Sequence, residues 1–199
     1  MLKLVTLATA VAGCASLCGA QDFSLVLVPE PVLPECPDGS FTVSVYGDSS
    51  FGTHLLGGAF GLEIGDGSEF ITDITWTNAA WSAFNTDGGY AGNGVHNQVI
   101  FGQLVIPGIF PPAPGSENGE LIGSFEVEYA FAGPVFMEFQ LTAGSPFSLE
   151  TVDSVTGQTY QDNGSNISLG SASILVCPSP GCGVLLGLAG IAATKRRRS

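Results

Sequence analysis

Two residue types in this chain could do chemistry by weight of numbers: carboxylates and cysteines. The 199 residues hold 18 Asp and Glu, 5 Cys and 2 His, against only 5 Lys and Arg. Carboxylates serve as general acids and bases in pairs, or ligate divalent cations in loops. Three loops have that look: Gly65-Asp66-Gly67-Ser68-Glu69, Asn85-Thr86-Asp87-Gly88-Gly89 and Asp162-Asn163-Gly164-Ser165-Asn166. None has the EF-hand spacing, and the simpler reading of each is a turn. His54 and His96 stand far apart and fit no zinc-ligand spacing. No Lys or Arg occurs between residues 4 and 194. Nothing there can hold an oxyanion or a phosphate by charge. A nucleic-acid-binding body is excluded for the same reason. The expectation is a protein without a catalytic site, a metal site or a resident cofactor, calcium being the one ion its carboxylates would suit.

Aromatic rings are the other recognition chemistry. Trp76, Trp81 and Tyr90 would make a sugar-stacking platform if their faces were exposed. Trp76 shares a strand face with Ile74, which favours the core. Trp81 lies in a stretch of small residues, 78–84, and is open to either reading.

The elements that must position these groups read as strands. Phe41, Val43 and Val45 alternate with Thr42 and Ser44, and Phe60, Leu62 and Ile64 with Ala59, Gly61 and Glu63. Residues 70–76 and 99–106 are β-branched and aromatic. Phe125, Val127, Tyr129 and Phe131 form one apolar face, and Val135, Met137, Phe139 and Leu141 another. A period of two with one apolar face means sheets that bury one side. That many strands predict an all-β fold, a single antiparallel β-sandwich of jelly-roll or similar type. The prolines of 107–119 predict a loop, since proline gives no donor to a ladder.

The strands around 124–130 and 134–142, joined through Phe131-Ala132-Gly133, predict a hairpin. Its register would set Val127 against Met137, Phe125 against Phe139 and Glu126 against Glu138. Opposed like charges destabilise a sheet. Either both side chains splay into water or a divalent cation bridges them.

The two ends differ from this body. Met1-Leu2-Lys3 and the apolar run to Ala12 form a secretory signal peptide over 1–20, with a cut after Ala20. Val11-Ala12-Gly13-Cys14 offers a rival, a lipobox placing a lipid on Cys14. The acidic body spans 21–176 and the tail 177–199. The tail reads Cys177-Pro178-Ser179-Pro180-Gly181-Cys182, an apolar run over 183–194, then Lys195-Arg196-Arg197-Arg198. As a helix the run spans about 18 Å, short of a ~30 Å hydrocarbon core. The basic cluster keeps its end cytoplasmic and faces the body outward.

Cys14 and Cys18 leave with the signal peptide, so Cys36, Cys177 and Cys182 remain. Cys36 follows the first strand and Cys177 the last. A Cys36–Cys177 bridge would close a loop of about 140 residues and stabilise by ~4–5 kcal/mol in the chain-entropy account. Free buried thiols are the alternative.

Pro178, Ser179 and Pro180, the short apolar helix, and Lys195, Arg196, Arg197 and Arg198 together resemble the PEP-CTERM sorting signal of Gram-negative and related bacteria. The resemblance implies an exosortase-type processing enzyme as partner. The protein would be anchored transiently in the inner membrane through the C-terminal helix, then released to the cell surface or beyond. Ser179 departs from the glutamate of the family's tripeptide. Val28-Pro29-Glu30-Pro31 spells that tripeptide, but no apolar helix or basic cluster follows it. A plain C-terminal membrane anchor is the other reading of the tail.

Phe41-Thr42-Val43-Ser44-Val45, Gly57 through Ile64, and Leu121 through Val127 resemble, in pattern, the strands of cohesin-like and related carbohydrate-module sandwiches. That resemblance implies a fold and no binding residue. The functional expectation is an exported bacterial surface or matrix protein with a structural or adhesive role. A binding module for neutral glycan, such as an extracellular polysaccharide, or for a calcium-bridged matrix polymer is the alternative. A secreted hydrolase comes last. Every acid lies between Asp22 and Asp162, and every base lies in one of the two end segments.

Overall fold

The computed structural model describes residues 22–30, 38–130 and 133–176. The expected signal peptide, 1–20, Cys36, and the expected sorting tail, 177–199, with Cys177, lie outside the described residues. In chain order the strands are β1 (Phe23–Pro29), β2 (Gly39–Ser49), β3 (His54–Ile64), β4 (Ile71–Asn78), β5 (Tyr90–Gly92) and β6 (Val95–Gly102). They continue as β7 (Leu121–Tyr129), β8 (Val135–Ala143), β9 (Glu150–Val152), β10 (Thr159–Gln161), β11 (Ile167–Leu169) and β12 (Ser171–Val176). No helix among the described residues is long and apolar enough to cross a membrane.

The expected β-sandwich is present. One sheet has five strands in the order β11-β1-β2-β7-β4, and the other has seven. In the larger sheet β3 is the central strand. β6 pairs along one of its edges, with β5 beyond. Along the other edge lie first β9 and then β8, each with its own outer neighbour, β10 and β12. All pairings are antiparallel except that of β1 with β11.

The alternation of the sequence became burial. Phe41, Val43 and Val45 of β2, Phe60, Leu62 and Ile64 of β3, and Phe125, Val127 and Tyr129 of β7 all point into one shared core. Each fully buried Phe or Leu contributes roughly 1.5–3 kcal/mol relative to exposure. Edge-to-face rings lock the two layers together. Phe41 of one sheet meets Phe139 of the other at 5.6 Å, and Trp76 meets Phe60 at 5.5 Å.

One expectation fails here. β7 and β8 do not form a hairpin. β7 lies between β2 and β4 in the five-stranded sheet, whereas β8 lies between β3 and β12 in the other. Both edges of each strand are already occupied, so the connection crosses from layer to layer. The apolar faces of the two strands still meet, but across the core rather than edge to edge. Glu126 therefore stands between Thr42 and Thr75, and Glu138 stands beside Ser173. The cation proposed to bridge them has no such pair of ligands. The expected strand 99–106 also ends early, at Gly102, because Gln103 turns its side chain into the fold.

Candidate functional site

Most of the groups singled out in the sequence are structural. Trp76 and Trp81 are both buried, and their ring nitrogens are satisfied. Trp76 Nε1 donates to Asn78 Oδ1 at 3.1 Å, and Trp81 Nε1 donates to the Leu121 carbonyl at 2.7 Å. The Tyr90 hydroxyl donates to the Ile71 carbonyl and accepts from the Gly94 amide. These rings do not present a common face for a sugar.

Two of the three acidic loops are closed turns, whereas residues 85–89 run extended beside β6, Thr86 and Ile100 exchanging two backbone bonds. Asp162 is buried. Its Oδ2 accepts from the Ser148 and Leu149 amides at 2.6 and 2.8 Å, and its Oδ1 accepts from Gly164 at 2.9 Å. Asn163 Oδ1 in turn accepts from the amides of Ser165 and Asn166. Asp87 Oδ1 accepts from the Gly89 amide and lies 3.2 Å from His96 Nε2. That approach suits an ion pair but is off-line for a hydrogen bond. His96 Nδ1 faces the Asn97 carbonyl at 2.9 Å, and the ring packs edge-on against Phe125. His96 thus ties the 85–89 segment to β6. Residues 65–70 form a turn and a short 3-10 helix, Ser68–Phe70, held by backbone bonds from Ser68 to Gly65 and Phe70 to Gly67. Among the described residues no three His, Cys, Asp or Glu side chains converge as metal ligands.

Two concave features lie elsewhere: one of about 920 Å³ is lined by Leu27, Glu63, Glu138, Gln140 and Ser173 among others, and the second is smaller and mainly apolar. This second one, a groove of about 320 Å³, opens on the seven-stranded sheet, where β3 meets β6 and the chain after β8. That is at the small end of the roughly 300–1,000 Å³ typical of ligand pockets. Its floor is backbone. A Cβ on Gly57 would sit 2.9 Å from the Phe101 carbonyl, and one on Gly58 would collide with the Ser148 carbonyl. Its walls are apolar: Ile100, Leu104 and Val105 on one side, Pro146 and Phe147 on the other, with Glu150 the one charged residue in the lining.

Polar side chains, Gln103 and Asp162 buried and Gln98 half-buried, hold both walls. Gln103 Nε2 donates to the Leu55 carbonyl at 2.7 Å, and its Oε1 accepts from the Ala113 amide at 2.8 Å, which fixes the base of the 103–114 loop. Within that loop Ile106 and Phe110 exchange two backbone bonds of 2.8 Å, making a tight hairpin tip. Gln98 grips Ser145 from both sides, donating to its carbonyl and accepting from its amide. Asp162 fixes Ser148 and Leu149 from below. The groove is therefore preformed rather than a gap between loose loops.

The rim is unusually apolar for a surface. Ile100 is 43% exposed and Leu104 51%, and in the loop that follows Leu104 and Val105, Ile109 is 67% and Phe110 51% exposed. Phe84, beside Gly102 through its backbone, is exposed as well. Scattered apolar residues on a surface need no explanation, but a cluster around a concavity marks an interaction site. Burial pushes the Glu150 carboxyl above the ordinary carboxylate range, and a side-chain hydrogen bond with Thr159 partly offsets this.

Sequence reasoning missed this groove. The 107–119 loop was legible from its prolines. The groove's lining is spread from Leu56 to Glu150, so no local run of the sequence signals it.

No family model matches the chain, and no curated protein matches it. Among solved structures it is similar to the cohesin module of a family 33 glycoside hydrolase from Clostridium perfringens ATCC13124. That similarity has 12% identity and a TM-score of 0.48 over 80% of this chain and 99% of that one. The seventh ScaB type I cohesin from Pseudobacteroides cellulosolvens is similar at 11% identity and a TM-score of 0.45, over 79% and 94% of the two chains. The sixth cohesin of scaffoldin B from Acetivibrio cellulolyticus is similar at 11% identity and a TM-score of 0.40, over 75% and 95%. No residue's role is taken from these structures.

Proposed function

We propose that this chain is an exported module of the bacterial cell surface or extracellular matrix, structural or adhesive in role and without catalysis. One observation carries the reading: a preformed groove on a rigid sheet, lined by the exposed Ile100 and Leu104, with Ile109 and Phe110 exposed in the loop that continues from it. Such a surface is unfavourable in water and gains on contact with a partner. The test is retention of the protein in the surface fraction of its cells. Leu104→Asp and Ile109→Asp, both at exposed positions, are expected to lower retention without lowering the melting temperature. Unchanged retention with both variants overturns the adhesive reading.

The address belongs to the same proposal. Residues 1–20 act as the signal peptide, and 177–199 as a sorting tail read by an exosortase-type enzyme at Pro178, Ser179, Pro180 and Lys195 to Arg198. Mass spectrometry of the surface form decides it. Mature protein that still carries Arg196, Arg197 and Arg198 overturns the sorting reading and leaves a plain anchor.

A bridge between Cys36 and Cys177 completes the domain. β2 starts opposite the end of β7, and β12 ends opposite the start of β8, with residues 130–134 as the short link between β7 and β8. Asp38 and Val176 therefore lie at one end of the sandwich, and the two cysteines adjoin them in sequence. A thiol count on unreduced, denatured protein separates the bridge from free thiols.

A further inference from the structure

The groove is lined by one carboxylate, the half-buried Glu150, and by no cationic side chain. Glu150 sits between Gly57 of β3 and Gln161 of β10. Burial disfavours its charge, and a cation delivered to it would relieve that penalty. No Lys or Arg occurs from residue 22 to residue 176. His54 Nδ1 is engaged with Thr53 Oγ1, and His96 is held by Asn97 and Asp87. The cation has to come from outside residues 22–176.

The walls narrow its chemistry. A small hydrated ion would find one carboxylate in a lining that is otherwise mainly apolar, short of the several charged oxygens that calcium takes. A Lys or Arg side chain fits better, because its apolar stem lies along such walls while its head reaches a carboxylate. Around the groove the rest of the described surface carries acids and no basic side chain except the two His, so a basic segment is also drawn to it from a distance.

We propose that this groove receives a basic, apolar peptide segment of a partner protein, with a Lys or Arg stem laid between Ile100, Leu104 and Pro146 and its head group on Glu150. The proposal rests on the binding role given above.

The test uses the full chain and two dye-labelled, end-capped hexapeptides, followed by fluorescence anisotropy. One peptide alternates leucine with arginine. The other has citrulline, uncharged and of the same shape, in place of arginine. The arginine peptide is expected to bind at least tenfold more tightly. Glu150→Gln is expected to remove that difference, a tenfold loss corresponding to about 1.4 kcal/mol. It removes a desolvated charge, so the variant keeps its fold, which a melting curve verifies. Asp66→Asn removes an equal charge outside the groove and is expected to change binding less than twofold.

Equal losses from Glu150→Gln and Asp66→Asn would reduce the effect to general charge attraction and overturn the proposal. So would equal binding of the two peptides, or no binding by either. If the peptides fail while Leu104→Asp still lowers surface retention, the cationic partner falls and the adhesive reading stands. Self-association that Leu104→Asp abolishes and Glu150→Gln leaves untouched would assign the groove to a second copy of the chain, and overturn the peptide.

Discussion

The amide of Gly170 donates a 2.7 Å hydrogen bond to the carbonyl of Leu25. Its own carbonyl accepts from the Leu141 amide at 3.0 Å. Leu25 belongs to β1 of the five-stranded sheet and Leu141 to β8 of the other, so one residue stitches the two layers together. The chain changes sheets here, passing from β11 to β12.

No side chain fits at that point. A Cβ on Gly170 would lie 2.7 Å from the Leu25 carbonyl oxygen and 2.9 Å from the Leu27 nitrogen, both backbone atoms that cannot swing aside. Gly170→Ala is expected to destabilise by about 1–3 kcal/mol, as overpacking does. Urea unfolding measures it, and an unchanged midpoint would mean the two layers part more easily than their hydrogen bonds imply.

Asp162 is the second keystone, anchoring three backbone amides from a buried position. Asp162→Ala leaves buried donors at Ser148 and Leu149 without an acceptor, at a cost of roughly 1–3 kcal/mol for each group left unpaired. The same variant should loosen the Pro146 wall of the groove. Faster hydrogen exchange at residues 145–149 would report it, and protection equal to the native protein would refute it.

Like charges do oppose one another in the sandwich, though not where the sequence suggested. Asp73 of β4 and Glu128 of β7 occupy facing positions on the outside of the five-stranded sheet. Asp73 Oδ1 accepts from the Ile74 amide, a bond that asparagine retains. Asp73→Asn is expected to stabilise by about 0.2–1 kcal/mol. Added salt should raise the melting temperature of the native protein, and raise that of the variant less. Calorimetry across a salt series checks both.

Glu150 and Asp153 bend the pH dependence in opposite directions. Glu150 titrates above the ordinary carboxylate range when folded, chiefly through burial. Between its unfolded and folded values the folded state binds more protons, so this group makes stability fall as pH rises through that window. Glu150→Gln should therefore gain on the native protein as pH rises toward neutrality. Asp153 titrates below its ordinary value because its carboxylate accepts from the Thr156 and Val155 amides. Its contribution is present above its unfolded value and lost as pH falls through the folded one. Denaturant melts of Glu150→Gln and Asp153→Asn from pH 3 to 7 test the two signs, and parallel curves would contradict both.

Much of the fold was legible in the chain. Phe41, Val43 and Val45, or Phe125, Val127 and Tyr129, turned inward as their alternation required, because period two in a strand dictates which face a side chain takes. The acidic body was legible too, since charge is additive and needs no geometry. Trp76 could be assigned to the core through Ile74 on the same face.

What alternation does not encode is the neighbour. The pairing edge of a strand is backbone, nearly the same for every residue, so β7 and β8 looked like a hairpin although they lie in different sheets. Only the closed set of pairings, each edge of β7 and β8 taken by another strand, decided that Glu126 meets Thr42 and Thr75 instead of Glu138. The groove arose in the same way. Gly57, Ile100, Leu104, Pro146 and Glu150 are spread over more than ninety residues of chain, and only tertiary packing brings a desolvated carboxylate and an apolar rim to one place. The sequence by itself determined which side chains face inward and what charge the surface carries. The tertiary structure alone decided which of them meet, because meeting depends on long-range pairing of a backbone that carries no residue-specific label.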